Sequence, residues 1–301
     1  MTEFLVTGAG GALGSVVMRE LLRANRSVEG IVSPTGPSPF SGTVWSADLC
    51  DSRTYRDRAL ALAPKVIVHL GAVSVPTEAY RDPERARKVN VESTAVLLSV
   101  AETIGAHFIY SSSDLVFDGE AAPYGEDDAP EPVSVYGRTK LEAESHVLAY
   151  KRGLVLRFPL MYGLPEVVRK PTFLETLLTN LRSGRSTRLF IDESRTPLWL
   201  DDAARACLRV AGSDLRGVMH VGGPASLSRF EMGELVAAAI GAPKHLLEAA
   251  SRTSFDAPEP RPRDTSMNSS RYIARFGEPG GRSLREALPL LLSQTPNRLL
   301  S

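Results

Sequence analysis

The chain has 301 residues, 43% of them hydrophobic, which supports a sizeable core and excludes a disordered chain. Lys plus Arg and Asp plus Glu both number 35, so the basic excess that a nucleic-acid binder uses against phosphates is missing. The length suits one large domain or two closely joined ones, and the expected partner is a small molecule.

Phe4–Thr7 reads as a strand, and residues 12–24 as a helix with Leu13, Val16, Val17, Leu21 and Leu22 on one side. Val28–Val32 is a second strand, and the prolines in 34–39 allow only a loop. Val44–Ser46 is a short strand, followed by a helix over 52–62. Val66-Ile67-Val68-His69-Leu70 is the continuous apolar run of a strand buried on both faces. A long helix covers 84–104, His107-Phe108-Ile109-Tyr110-Ser111 is a strand, and 118–132 is a loop rich in Gly, Pro and acid. A helix over 134–150 and a strand over 154–157 follow. This alternation predicts an α/β fold with a doubly wound parallel sheet, which binds ligands at the carboxyl ends of its strands.

Beyond 160 the rhythm loosens. Helices are expected over 173–181, 201–211, Arg229–Ile240 and 283–292, with a strand over 218–221 and a proline-rich break at 258–262. The reading is therefore a dinucleotide-binding domain over 1–160 and a smaller substrate-binding lobe over 161–301, some of whose segments return to the main sheet.

Thr7-Gly8-Ala9-Gly10-Gly11-Ala12-Leu13-Gly14 joins the first strand to the first helix. Gly8 permits the tight turn, Gly11 lets backbone approach a pyrophosphate, and Gly14 lets the helix pack on the strand; Ala12 and Leu13 supply the helix N-terminus that favours an anion. A glycine triplet alone is also compatible with a flexible turn; its place between strand and helix points to a dinucleotide. Tyr136 and Lys140 lie four residues apart and so share one helical face. A free phenol ionises near pH ~10, and a neighbouring cation favours the phenolate, so the pair suits proton transfer to and from a carbonyl/alcohol couple. A surface Tyr/Lys contact is the plainer alternative. Ser111-Ser112-Ser113-Asp114 closes a strand at the ligand edge, where a hydroxyl can bond a substrate oxygen or merely serve a turn.

Taken together, Thr7-Gly8-x-x-Gly11-x-x-Gly14, Ser112-Ser113-Asp114-Leu115-Val116-Phe117-Asp118-Gly119 and Tyr136-x-x-x-Lys140 resemble the extended short-chain dehydrogenase/reductases. More narrowly they resemble the dTDP-4-dehydrorhamnose reductase-like branch of the sugar-nucleotide reductase/epimerase superfamily. Arg195-Thr196-Pro197-Leu198-Trp199-Leu200-Asp201-Asp202, His220-Val221-Gly222-Gly223-Pro224 and Arg261-Pro262-Arg263-Asp264 extend the likeness over nearly the whole chain. The resemblance implies a Rossmann fold and a soluble enzyme that uses NAD or NADP to reduce the keto group of a nucleotide-diphospho-4-keto-6-deoxy sugar. By position it implies Tyr136 as general acid/base, Lys140 as the residue that lowers the Tyr136 pKa and holds the nicotinamide ribose, and Ser113 as the hydroxyl that polarises the ketone. Asp114 stands beside it toward the substrate, Asp48 and Leu49 contact adenine, Gly71 and Ala72 line the cofactor, and Asn90 supports the relay behind the lysine.

Two positions depart from the branch: Leu115 replaces its usual aromatic, and Leu160 stands near its usual tryptophan, so another nucleotide-linked ketosugar is as compatible as dTDP-4-dehydrorhamnose. After the second strand Ser33-Pro34-Thr35 offers neither the acid that bonds a ribose hydroxyl nor an arginine; lacking the acid tilts the reading toward NADP. Arg169-Lys170, Arg261 and Arg263 are either ligands for a sugar nucleotide's diphosphate or solvated surface charge. His69 and His220 are expected to be structural, and Trp199 likewise. Cys50 and Cys207 have no metal-ligand spacing, so no metal is expected and a reducing compartment fits. The N-terminus lacks a basic region before a long apolar stretch, and no segment approaches the ~20 apolar residues that span a bilayer, so a cytoplasmic protein with no membrane partner is expected. The family often forms dimers, so a homodimer is expected too. Two alternatives remain: an NAD-dependent nucleotide-sugar epimerase, and a non-catalytic regulatory protein that retains cofactor binding, as in the regulatory subunit of methionine adenosyltransferase. The Asp-Glu pair usual in the family's dehydratases is absent, since Leu115 follows Asp114.

Overall fold

Strands buried on both faces need apolar side chains at every position, and the central strands meet that demand. In a computed structural model describing residues 2–36, 40–165 and 171–294, β1 (Phe4–Thr7), β4 (Val66–His69) and β6 (Gly153–Phe158) are buried throughout. β5 (His107–Ser113) is buried at all but one residue, whereas β2 (Val28–Val32) and β3 (Val44–Ser46) approach the sheet edge. The sheet has seven parallel strands in the order β3-β2-β1-β4-β5-β6 followed by Gly217–His220, a strand that returns from the second half of the chain. This is the doubly wound parallel arrangement the alternation predicts, with the order reversing at β1.

The period of two along each strand separates two cores. Leu5, Ile67, Phe108 and Val155 face one side, under α2 (Arg56–Leu62), α5 (Ser93–Ile104) and α6 (Val135–Ala149). Val6, Val68, Ile109, Leu154 and Leu156 face the other, under α1 (Ala12–Arg23) and α8 (Leu200–Ala211). That second core continues without a break into α7 (Phe173–Arg182), α9 (Arg229–Ile240) and α11 (Leu284–Gln294).

Helical regions differ from expectation where prolines and caps intervene. The helix expected over 84–104 is broken into α4 (Pro83–Arg87), a π-turn at Lys88–Glu92, and α5, and a further helix, α3 (Pro76–Arg81), precedes it. Pro76 and Pro83 each open a helix where a missing N–H costs nothing, and the Asp82 side chain caps α4 by accepting from Arg85 N at 2.9 Å. The 52–62 helix starts as a 3-10 turn, Ser52–Thr54, before α2. In the second half, Met161–Tyr162 pairs with Leu198–Trp199, Ser194–Arg195 with Leu227–Ser228, and Thr187–Phe190 with Leu247–Ala250. These strands are too short to leave a periodic pattern. A further helix, α10 (Ser270–Phe276), precedes α11. No helix among the described residues is long and apolar enough to cross a membrane.

Candidate active site

The carboxyl ends of the neighbouring parallel strands β1, β4 and β5 lie side by side along one edge of the sheet. At β1 the chain turns through Gly8, whose φ of +67° suits glycine, and a Cβ there would stand 2.8 Å from Gly71 N after β4. A Cβ on Gly14 would lie 2.0 Å from the Gly8 carbonyl oxygen, so α1 packs on the turn only because position 14 has no side chain. Gly11 is the N-cap, and no side chain caps the first turn, which leaves the N–H groups around Ala12 and Leu13 facing outward for an anion. Leu49 lies against Gly71, while Asp48 is exposed with Oδ1 accepting from Cys50 N at 2.9 Å; Ala72 is half-buried next to them. These features fit a dinucleotide: a cradle that a single added Cβ would fill, and an uncapped helix end.

Thr7 ties the floor together. Its Oγ1 accepts from Leu70 N at 3.1 Å and Gly71 N at 3.0 Å, so its own hydrogen goes to His69 Nδ1 at 2.6 Å. His69 Nε2 then donates to Thr94 Oγ1 at 3.0 Å, because the Thr94 hydrogen is given to the Asn90 carbonyl at 2.7 Å. Burial pushes the His69 pKa down to about 3, helped by the nearby Lys140 charge, so the imidazole is neutral and structural. Asn90 in the π-turn accepts from Val73 N at 2.8 Å and donates to Thr139 Oγ1 at 2.9 Å, linking the β4 loop to α6.

Ser134 caps α6 by accepting from Gly137 N at 3.1 Å. A Cβ on Gly137 would sit 2.2 Å from the Leu115 carbonyl oxygen, so the helix closes on the turn after β5 and brings Tyr136 to Ser113. Tyr136 and Ser113 are 8% and 7% exposed, and Lys140 3%. The spacing leads to the expectation that Lys140 lowers the Tyr136 pKa; among the groups that set it in this fold, burial dominates. Burial raises it to about 12, Asp114 adds to the rise, and the hydrogen bond with Ser113 opposes it, so Tyr136 is a phenol. The Lys140 ammonium lies over the Tyr110 ring, 4.2 Å from its centroid, and burial brings its own pKa down to about 7 against the pull of Glu144.

Ser113 Oγ donates to Asp114 Oδ1 at 3.0 Å and accepts from Leu115 N at 3.1 Å. Asp114 is buried, and its pKa is raised by that burial although Arg195 Nε lies 3.2 Å from Oδ2 and Thr265 Oγ1 donates to the same oxygen at 2.6 Å. Behind Arg195 the buried Glu193 gathers Arg195, Arg229 and Arg261 at 3.5, 3.8 and 2.8 Å. Arg195, Thr265, Glu193 and Arg229 carry no assigned role in the sequence reading, because nothing local marks them. Arg261, expected either to contact a diphosphate or to be surface charge, is held by Glu193 and lines a cleft of about 600 Å³ with Asp118, Glu131 and Arg138, whereas Arg263 is exposed and lies 3.9 Å from Glu120. Arg169-Lys170 lie outside the described residues. Ser33 and Thr35 stay exposed after β2, with hydroxyls 3.5 Å apart.

The family profile described as the RmlD substrate binding domain matches residues 1–296. Methionine adenosyltransferase 2 subunit beta from Bos taurus is 33% identical over 278 residues, which cover 89% of this chain and 80% of that protein. A probable low-salt glycan biosynthesis reductase, Agl14, from Haloferax volcanii is 28% identical over 275 residues, 90% of this chain and 91% of that one. The solved dTDP-4-dehydrorhamnose reductase from Bacillus anthracis, in complex with NADP, superposes with a TM-score of 0.85 over 98% of this chain and 100% of its own, at 20% identity. The fold is that of these reductases, and the chain belongs to the RmlD-like family of extended short-chain dehydrogenase/reductases.

Proposed function

We propose that the protein reduces the keto group of a nucleotide-diphospho-4-keto-6-deoxy sugar, with NADPH favoured over NADH. The observation that carries this reading is the buried contact between the Tyr136 phenol and the Ser113 hydroxyl, at the sheet edge that also carries the glycine cradle. Gly8, Gly11, Ala12, Leu13 and Gly14 would hold the cofactor's diphosphate, Asp48 and Leu49 its adenine side, and Gly71 and Ala72 its flank. The bound nicotinamide supplies the hydride.

The chain's own residues supply the rest. Tyr136, held protonated by burial, donates to the developing alkoxide, and Lys140 steadies the phenolate left behind. Ser113 turns its hydrogen from Asp114 toward the substrate oxygen, while Thr265 and Arg195 keep Asp114 satisfied. Arg261 and Arg263 are the candidate contacts to the sugar nucleotide, within a substrate lobe assigned to 161–301 beside a cofactor domain over 1–160. A homodimer in the cytoplasm completes the reading.

The test is oxidation of NADPH and NADH by purified protein with a panel of nucleotide-linked 4-ketosugars. Tyr136→Phe is expected to lower turnover on the order of 100-fold or more while leaving cofactor affinity nearly unchanged. Equal turnover by the variant would refute the assignment. Turnover without net NAD(P)H consumption would mean an epimerase. A second reading, a cofactor-binding regulatory protein, is supported by the 33% identity to the methionine adenosyltransferase subunit; tight cofactor binding with no turnover across the panel would select it.

A further inference from the structure

Lys140 shares its interior with a second cation and one carboxylate. Glu144, one turn further along α6, takes Arg157 through two bonds, Nε to Oε1 at 3.0 Å and Nη2 to Oε2 at 2.7 Å, and the Ser112 hydroxyl also donates to Oε1. Glu144 is 1% exposed and Arg157 3%. The other groups around this cluster come from every neighbouring strand. His69 from β4 is a neutral imidazole, and Tyr110 from β5 lies under the lysine. Tyr136 precedes Lys140 on the same helix. His220 from the return strand has Nδ1 3.2 Å from the Tyr124 carbonyl, which only a donor can satisfy, so Nε2 accepts from Arg157 Nη1 at 3.3 Å and this imidazole is neutral too. Among these groups, two buried cations face one carboxylate.

We infer that Glu144 is a positioning residue: pinned by Arg157 and Ser112, its carboxylate acts across one helical turn to keep Lys140 in the ammonium form. The inference rests on the reductase reading for its consequence, since Tyr136 needs that ammonium when its proton leaves. The physical reason is geometric. Residues four apart on a helix have Cβ atoms about 5–6 Å apart. In a water-poor interior a charge at that range is weakly screened, so it opposes the loss of the lysine proton that burial favours. Bonds from Arg157 and Ser112 hold the carboxylate in place, so it lifts Lys140 without capturing the ammonium that must reach the ribose and the phenol.

The test reads Lys140 itself. In isotopically labelled protein the Lys140 Cε resonance, assigned by its loss in Lys140→Met, is followed against pH. A wild-type midpoint near 7 is expected. In Glu144→Gln the midpoint should fall by about one unit or more, the usual effect of removing a close opposite charge. Glu144→Asp, which keeps the charge, should stay nearer the wild type. Glu144→Gln strands the Arg157 charge and could unfold the chain, so Glu144→Gln/Arg157→Met, which removes both buried charges, is titrated alongside; there the midpoint should also fall, by less. A midpoint unchanged in both variants overturns the inference. Ketosugar turnover is a separate readout. If wild type turns over, the alkaline limb of its pH profile should move down with the Lys140 midpoint. If it does not, the reductase reading fails, and the titration still decides the role of Glu144.

Discussion

A methyl group at position 14 would stand 2.0 Å from the Gly8 carbonyl oxygen, a backbone atom that cannot swing away. Gly14→Ala is therefore expected to push α1 off the β1 turn, costing about 1–3 kcal/mol by the usual measure of overpacking. Urea unfolding and cofactor titration should both register it, and unaltered cofactor affinity would count against the assigned cradle. His69 and His220 carry a pH signature. Burial lowers both from about 6.5 to about 3, so below pH 6.5 the unfolded chain takes up protons that the native chain refuses. Their contribution is complete above 6.5 and is lost as pH falls toward 3. Unfolding free energy measured from pH 7.5 to 4.5 should decline, and His220→Gln should flatten that slope. At this scale, what the sequence revealed depended on distance along the chain. Gly8, Gly11 and Gly14, or Tyr136 and Lys140, are legible because one turn or one helical face holds them. Thr265, 151 positions from the Asp114 it bonds, and Arg195 are not, because only the folded chain makes them neighbours.

Between residues and the whole lie the elements. Strands β1, β4, β5 and β6 were readable from their apolar runs, since a strand covered on both faces has no polar alternation to confuse with a helix. The π-turn at Lys88–Glu92 was not, because the same side-chain pattern serves an unbroken helix. Yet that turn sets Asn90 against Val73 and Thr139. Asn90→Ala would leave the buried Val73 N–H and Thr139 hydroxyl without this partner, an expected loss of about 1–3 kcal/mol. Hydrogen exchange at Val73 should speed up with it; if exchange there is unaffected, the turn is not what holds the β4 loop.

For the whole molecule, the core does not divide near 160. Strand Gly217–His220 pairs with β6, and α8 packs on α1 across a hydrophobic cluster that runs from Phe4 to Leu291. The Arg19–Asp201 ion pair joins the same two helices. A fragment ending at 160 would expose the β6 edge and one face of the sheet. It is expected to be aggregated or molten, with native near-ultraviolet dichroism missing; a cooperative melt of that fragment would show that the cofactor half stands alone. Composition could not foretell this interlocking, because tertiary pairing of a four-residue strand leaves no periodic trace.

The late arrival of Gly217–His220 also has a cost during synthesis. From the moment β6 emerges from the ribosome until Gly217–His220 does, one ladder of its amides and carbonyls is open to any extended neighbour, a nascent copy of itself included. The chain's safest moment comes only after its third quarter has emerged, so slowing translation within that interval would prolong the hazard.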